Sequence, residues 1–402
     1  MGSASIFDYK YLTKTHLKGF DNYKYSAIDT SPLSQYVMHP FWNTVVKFIP
    51  RWIAPNLLTF AGFLCMVASV VLLFIYDYDF TASGAPQGYE KVAKGIPLWV
   101  FTACGVLLFL AYNLDGIDGK QARRIGVSGP LGEMFDHGLD SYIVFFIPFS
   151  LISVMGRGDW SIPTFRGYLA VASVVLNFYV SHWEKYNTGT LYLPWGYDLS
   201  MWVCSIFFLL AGARGAEVYK FHIFGDVTFV QGLEVAIHAT GLFTTLPIAV
   251  YNVYLSYKNH TLKTHSFLGM LRPAWSIVAL TTAMTVWALK SPLDVVEYDP
   301  RAFLLLYGTL FSNIASRLIV AEMSEQRCDL ITWVLWPLFV GVSLSLWVPA
   351  LEAAVLYALL PFSILAHVHY GVCVVRQMCQ HFGVSCFTVP RIKAMKIQKR
   401  KK

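Results

Sequence analysis

Residues 97–156 read PLWVFTACGVLLFLAYNLDGIDGKQARRIGVSGPLGEMFDHGLDSYIVFFIPFSLISVMG, two apolar stretches closing on the acidic run LDGIDGKQARRIGVSGPLGEMFDHGLDS at 114–141. Each apolar stretch has about the 20-residue length that a bilayer-crossing helix requires. Carboxylates at the mouth of such helices are costly to keep and ordinarily mark ion, proton or substrate handling. Asp115, Asp118, Asp136 and Asp140 therefore bear on both the fold and the chemistry.

Moving outward, the whole 402-residue chain is 56% hydrophobic and 14% charged, against roughly 25% charge in soluble domains, and its mean hydropathy is +0.50. This predicts an all-α polytopic membrane protein with about ten transmembrane helices, over 56–76, 97–116, 138–156, 164–182, 200–215, 232–255, 273–289, 302–321, 332–350 and 352–373. An N-terminal interfacial helix is expected in PLSQYVMHPFWNTVVKFI, 32–49, which is too short and polar to span. The expected layout is a cytosolic N-terminal segment (1–54), a transmembrane domain (55–373) and a basic cytosolic tail (374–402). Pro148, Pro247 and Pro361 predict kinks that open a lateral path for a lipid.

If the termini are cytosolic, 23 of the 31 Lys and Arg residues fall on the cytosolic side. That bias is the positive-inside pattern and places both ends and the acidic run in the cytosol. The net charge of +7 is concentrated in the tail PRIKAMKIQKRKK, which reads as a solvated end or a contact for anionic lipid rather than for nucleic acid. The start, MGSASIFDYKYLTK, lacks the apolar core of a cleavable signal. The seven cysteines form no CxxC pair and no metal-binding spacing. Three further polar pieces, Pro55-Asn56, SHWEKYNTG (181–189) and SYKNHTLKTH (256–265), fall on the same predicted side as the acidic run and suggest one site rim.

Asp115 and Asp118 are three residues apart and Asp136 and Asp140 four apart, so each pair shares a helix face. Brought together at two helix ends, four carboxylates need positive charge, and hard oxygen donors select Mg2+ or Mn2+. Two such ions are expected, an arrangement suited to phosphoryl transfer. Gly119 allows close approach of substrate to the backbone, Gly132 allows close helix packing, and Arg123 suits a bidentate grip on a diphosphate. Arg124 reads as interfacial charge, and Gly126, Ser128, Gly129 and Pro130 as the turn. His137 is the candidate general base, with Glu133 one turn earlier to orient it or to bind substrate. His182, Glu184 and Lys185 either cap the substrate entrance or form an interfacial turn, and His367 and His369 read as packing or rim residues.

The spacing D115-x2-D118-G119-x2-A122-R123-x8-G132-x3-D136-x3-D140 resembles the signature of the CDP-alcohol phosphotransferases. KQARR, PLGE, FDHGLDS, PFWNT, APNLLTF, SHWEKYNTG and LPWGYD resemble the family's eukaryotic choline/ethanolamine branch, over roughly residues 15–380. The resemblance implies transfer of phosphoethanolamine from CDP-ethanolamine to diacylglycerol or an ether-linked analogue, with release of CMP. It implies that Asp115, Asp118, Asp136 and Asp140 hold the metal, that His137 or Asp140 takes the lipid hydroxyl proton, and that Asn56, Gly119, Ala122, Arg123 and Glu133 help to hold the CDP moiety. It also implies a homodimer among membrane phospholipids in the endoplasmic reticulum or Golgi membrane.

Choline or dual head-group specificity is the alternative within the branch. Outside it, a carboxylate-lined transporter predicts ion flux and paired repeats, which the placement of the cluster near the start of the chain does not suggest. A non-catalytic scaffold predicts that Asp136 and Asp140 are chemically dispensable.

Overall fold

The computed structural model describes residues 6–89, 94–193, 196–264 and 266–389. The basic tail from Pro390, and Pro194 and Trp195 of LPWGYD, lie outside the described residues. After a short 3-10 turn at Ile6–Asp8, the amino-terminal segment holds α1 (Lys14–Asn22), β1 (Ala27–Asp29), a π-helical turn at Ser34–Met38 and α2 (His39–Val45). The body then comprises α3 (Pro55–Tyr76), α4 (Leu98–Ile125), α5 (Pro130–Met155), α6 (Thr164–Thr188), β2 (Leu191–Leu193) and α7 (Gly196–Arg214). A hairpin of β3 (His222–Phe224) and β4 (Val227–Thr228) leads into α8 (Phe229–Thr240) and α9 (Leu246–Lys258). Short α10 (Phe267–Leu271) and α12 (Val295–Tyr298) bracket α11 (Ala274–Lys290), and α13 (Pro300–Met323), α14 (Leu335–Trp347) and α15 (Glu352–Phe382) complete the chain.

Among the described residues, seven helices are long and apolar enough to cross a membrane: α3, α4, α5, α7, the continuous α8–α9 rod, α13 and the rod ending in α15. Three of the ten expected, over 164–182, 273–289 and 332–350, fall outside this set. α11 and α14 are apolar but shorter. α6 has the length, yet Arg166 and Asn177 interrupt it and it ends on the polar SHWEKYNT. Short helix α2 and the preceding π turn do form within 32–49, and they expose Tyr36, Val37 and Phe41.

Local chemistry sets the helix limits. Pro occupies the first turn of α3, α5 and α13, where its missing N–H costs nothing and its fixed φ suits a helix start. Gly126, Gly189 and Gly383 close α4, α6 and α15 in the left-handed conformation that glycine adopts without strain. Pro148 and Pro361 lie within α5 and α15, whereas Pro247 sits in the first turn of α9, directly after a π-helical turn at Gly241–Thr245.

Helix α13 is the central rod, with 83% of its apolar window buried, against 11% for the α8–α9 rod. Gly308 lets α13 approach the ring of Phe145 on α5, where a Cβ would collide. The acidic cluster lies towards the end of the body where α3 and α5 begin and α4 and α6 finish. At the other end Arg301, fully buried, donates to the carbonyls of Asp77 and Tyr78 and to Ser153 Oγ, with its guanidinium 3.9 Å from the Phe80 ring centroid. Also at that end, the buried Glu352 carboxylate accepts from Trp287 Nε1 at 2.7 Å, from Ser291 and from the Leu293 N–H.

The amino-terminal segment is pinned to the cytosol-predicted end at several points. β1 pairs in parallel with β2, with Ala27 opposite Leu191. Gln377 of α15 accepts from the N–H groups of Tyr11 and Leu12, and returns a bond to the Leu12 carbonyl. His369 meets Tyr11 Oη at 2.9 Å, and His367 packs edge-on against Tyr142. These contacts place both histidines in packing roles, in line with their sequence reading.

Candidate active site

The two helices that carry the aspartates run further than apolarity alone indicated. α4 continues to Ile125 and α5 starts at Pro130, so all four carboxylates stand within helices, not at their ends. The intervening turn is the one expected: the Val127 N–H bonds to the Ala122 carbonyl at 3.0 Å and the Gly126 N–H to that of Arg123, with Gly126 at φ 74°. This double bond pattern caps a helix and reverses the chain within a few residues. It folds α5 back beside α4 and sets the two carboxylate pairs face to face.

Ligand atoms of Asp115, Asp118 and Asp136 lie within 4.8 Å of one another, and so do those of Asp136, His137 and Asp140. Asp136 links the two groups. Its Oδ1 is buried with no hydrogen-bond partner among the described residues. An orphaned carboxylate oxygen amid like charges is a costly arrangement without a cation. The donor set is oxygen-rich with one imidazole and no thiolate, which suits a hard divalent ion.

The cluster is held from three sides. Thr59 of α3 donates to Asp118, and Tyr197 of α7 donates to Asp115 Oδ2 at 3.3 Å. The next residue, Asp198, accepts a 2.5 Å bond from Tyr112 of α4. Trp42 of α2 donates to Asn113 at 3.0 Å, and its ring fills the space that a side chain at Gly116 would need.

His137 is buried, its Nδ1 lacks a hydrogen-bond partner among the described residues, and it stands 3.9 Å from Glu133 Oε1. His182 packs edge-on against it with ring centroids 5.3 Å apart. Glu133 itself accepts from Tyr23 and from Lys185 Nζ, the latter at 2.7 Å. Burial, followed by the Glu322 and Glu133 carboxylates, pushes the Tyr23 hydroxyl pKa well up, so that this group stays a donor. Burial and the carboxylates of Glu133, Asp136 and Asp115 likewise push that of Tyr25 up.

The remaining sequence candidates sit around the same opening. The Arg123 guanidinium lies 3.5 Å from where a Cβ at Gly119 would stand, and its exposed head makes no hydrogen bond with the described residues. Asn56, at the start of α3, is buried, and its amide donates to Cys386 Sγ at 3.4 Å, while its Oδ1 is 3.5 Å from the Cβ position of Gly132. Ala122 is half-buried and contributes its carbonyl to the turn. Glu184 is drawn away from the cluster to Asn252 of α9. Arg124 is not simply interfacial charge: its guanidinium donates to the carbonyls of Val46, Lys47 and Ile49, the first and last at 2.6 Å, and fastens the end of α2 to α4.

The sequence tied several of these partners to no role at the cluster. Thr59 and Tyr197 fall in APNLLTF and LPWGYD, but no spacing links either to an aspartate, and Tyr23 sits in a polar segment 110 residues from its partner Glu133. Glu322, a charge closing the apolar run of α13, was the one signal open to reading, and Lys185 approaches it to 3.3 Å.

The family model described as CDP-alcohol phosphatidyltransferase matches residues 52–246, which contain the whole cluster. Ethanolaminephosphotransferase 1 of Mus musculus is 45% identical over 384 residues, 95% of each chain. The chain belongs to the CDP-alcohol phosphotransferase family. Ethanolaminephosphotransferase 1 of Homo sapiens is also 45% identical, over 383 residues and 95% of each chain. Choline/ethanolaminephosphotransferase 1 of Arabidopsis thaliana is 30% identical over 396 residues, 92% of this chain and 96% of the relative. Membership in the eukaryotic choline/ethanolamine branch follows from matches that extend far beyond the acidic motif.

Proposed function

We propose that the chain transfers phosphoethanolamine from CDP-ethanolamine to diacylglycerol or a 1-alkyl- or 1-alkenyl-2-acylglycerol, giving the phosphatidylethanolamine-type lipid and CMP. The observation that carries this reading is the convergence of Asp115, Asp118, Asp136 and Asp140 from two helices, with His137 alongside, in a chain of this family. The names of the mouse and human relatives favour ethanolamine as the head group.

Asp115, Asp118, Asp136 and Asp140 are the residues to hold Mg2+ or Mn2+, as two ions, which when bound supply charge neutralisation on the diphosphate and on the departing CMP phosphate. Arg123, exposed above Gly119, grips the diphosphate, and Asn56, Ala122 and Glu133 border the CDP moiety. His137 takes the proton from the lipid hydroxyl. That oxygen forms a bond to the phosphorus bearing the head group as the bond from this phosphorus to the CMP oxygen breaks. Asp140 stays a ligand, and Glu133 and His182 keep the imidazole in place.

The surrounding assignments follow from the same reading. Residues 1–54 form a cytosolic segment in which α2 lies along the membrane interface, 55–373 form the transmembrane domain, and 374–402 a basic cytosolic tail. α6, α11 and α14 supply three further crossings, giving ten, with both termini and the site in the cytosol. The chain works as a homodimer in the endoplasmic reticulum or Golgi membrane.

The test is CMP release by the purified chain in proteoliposomes with diacylglycerol and either CDP-ethanolamine or CDP-choline. Preference for CDP-ethanolamine, abolished by chelation and restored by Mg2+ or Mn2+, is expected. Equal use of both donors makes the enzyme dual-specific, and metal-dependent ion flux without CMP release contradicts the proposal.

A further inference from the structure

Lys185 closes α6 with its ammonium 1% exposed, a position a membrane protein does not give to a charge without need. It donates to Glu133 Oε1 at 2.7 Å and to Tyr23 Oη at 2.9 Å, and pairs by charge with Glu322 Oε2 at 3.3 Å. The rings of Tyr23 and Tyr25 stand beside it, with centroids 5.4 and 5.5 Å from Nζ. Four separate parts of the chain thus meet at one ammonium: the amino-terminal segment, α5, α6 and α13.

The oxygen that Lys185 and Tyr23 both grip, Glu133 Oε1, is also the one facing His137 Nδ1 at 3.9 Å. Glu133 and His137 are one helical turn apart on α5. The separation is too long for a hydrogen bond as it stands, and such contacts commonly tighten when substrate fills a site. A carboxylate gripped by two donors is restrained in place and ready to accept a hydrogen bond from Nδ1–H. An imidazole held in that tautomer turns its other nitrogen to the reacting hydroxyl.

We propose that Lys185 is a positioning residue for the transfer reaction, fixing Glu133 so that Glu133 orients His137, while Glu322 balances the buried ammonium. The proposal rests on the reading of His137 as the proton acceptor. Lys185 touches neither the candidate metal ligands nor the opening beneath Arg123, and it reaches the donor only through Glu133. Its loss therefore acts chiefly on turnover, with a small effect on donor binding.

The experiment compares the full-length wild-type chain with Lys185→Met/Glu322→Gln, Lys185→Arg and Tyr23→Phe in proteoliposomes, by CMP release at saturating Mg2+ and diacylglycerol. The double substitution removes the ammonium together with one carboxylate, so the net charge of the buried group is unchanged. Misplacing a catalytic group by about 1 Å costs about 10²-fold, so the double variant is expected to lose kcat on that order, with KM for CDP-ethanolamine held within about twofold. Lys185→Arg is expected to retain at least about tenfold more kcat than the double variant, because a cation there again grips Glu133. Tyr23→Phe removes the second donor without changing charge and is expected to lower kcat about tenfold at unchanged KM.

Wild-type kcat in Tyr23→Phe together with either wild-type kcat or a pure KM effect in the double variant overturns the proposal. If the double variant fails to fold, the kcat and KM of Tyr23→Phe decide alone. Absence of CMP release by the wild-type chain would instead overturn the parent reading of the site, and this proposal with it.

Discussion

The hydroxyl of Thr59 on α3 donates to the carboxylate of Asp118 on α4, which joins the first long helix to the acidic cluster. The bond fixes which oxygen of Asp118 stays free for a cation. Groups of this kind, one step removed from a metal, set affinity by orienting the ligand, and their removal typically costs 10- to 100-fold in metal affinity or activity. Thr59→Val keeps the shape and deletes the donor. The Mg2+ concentration for half-maximal activity is expected to rise by about tenfold or more, and an unchanged metal titration counts against this role.

Trp42 and Gly116 interlock in the same way from the other side of α4. Gly116 adjoins Asp115, and a methyl group there would collide with the indole ring. Gly116→Ala must displace α2 or tilt the ring, at about 1–3 kcal/mol for an overpacked contact. A lower unfolding temperature in detergent, with a raised metal requirement because Asp115 moves, is the expected pair of effects. Wild-type behaviour in both would show that α2 does not brace the cluster.

At the far end of the body Arg301 separates stability from chemistry. Its guanidinium is fully buried between Phe rings and the carbonyls of Asp77 and Tyr78. Removing one partner of a buried charged group costs about 3–5 kcal/mol, so Arg301→Met should lower the unfolding temperature markedly. The surviving folded fraction should keep the wild-type KM for CDP-ethanolamine, and a selective change in KM would contradict the independence of the two ends.

Cys386 reports on the opening beside Asn56. Burial pushes its thiol pKa up to about 11, with the Asn56 amide acting in the opposite direction. A raised thiol pKa leaves the unreactive protonated form dominant near pH 7, and the thiolate grows as pH rises towards that value. Alkylation at Cys386, followed by peptide mass spectrometry, is therefore expected to be slow at pH 7 and to accelerate up to about pH 11. A rate that levels off near pH 8 would contradict the burial described here.

The parts of this architecture legible in the sequence are those that depend on local chemistry. The spacing of Asp115, Asp118, Asp136 and Asp140 gave the convergence of the cluster, and Gly126 and Pro130 gave the turn between its two helices. Hydropathy marks where lipid ends, though not where helical hydrogen bonding ends, so α4 outruns its apolar stretch to Ile125. The same holds for α6, which runs on from the expected span 164–182 to Thr188 through polar residues. Arg124 looked like surface charge because its acceptors are backbone carbonyls of another segment, which no side-chain pattern reveals. Tyr23 and Lys185 meet Glu133 only through the tertiary fold.

The most direct test of the central claim, that the four carboxylates run a metal-dependent phosphotransfer, is the transfer of radiolabelled phosphoethanolamine from CDP-ethanolamine to diacylglycerol by Asp136→Asn in proteoliposomes. Asp136 is the residue common to both ligand groups. Loss of transfer by at least about 10³-fold, as expected when a main source of transition-state charge stabilisation is removed, with the variant folded and inserted, is the predicted result. Turnover by Asp136→Asn at the wild-type rate would contradict it.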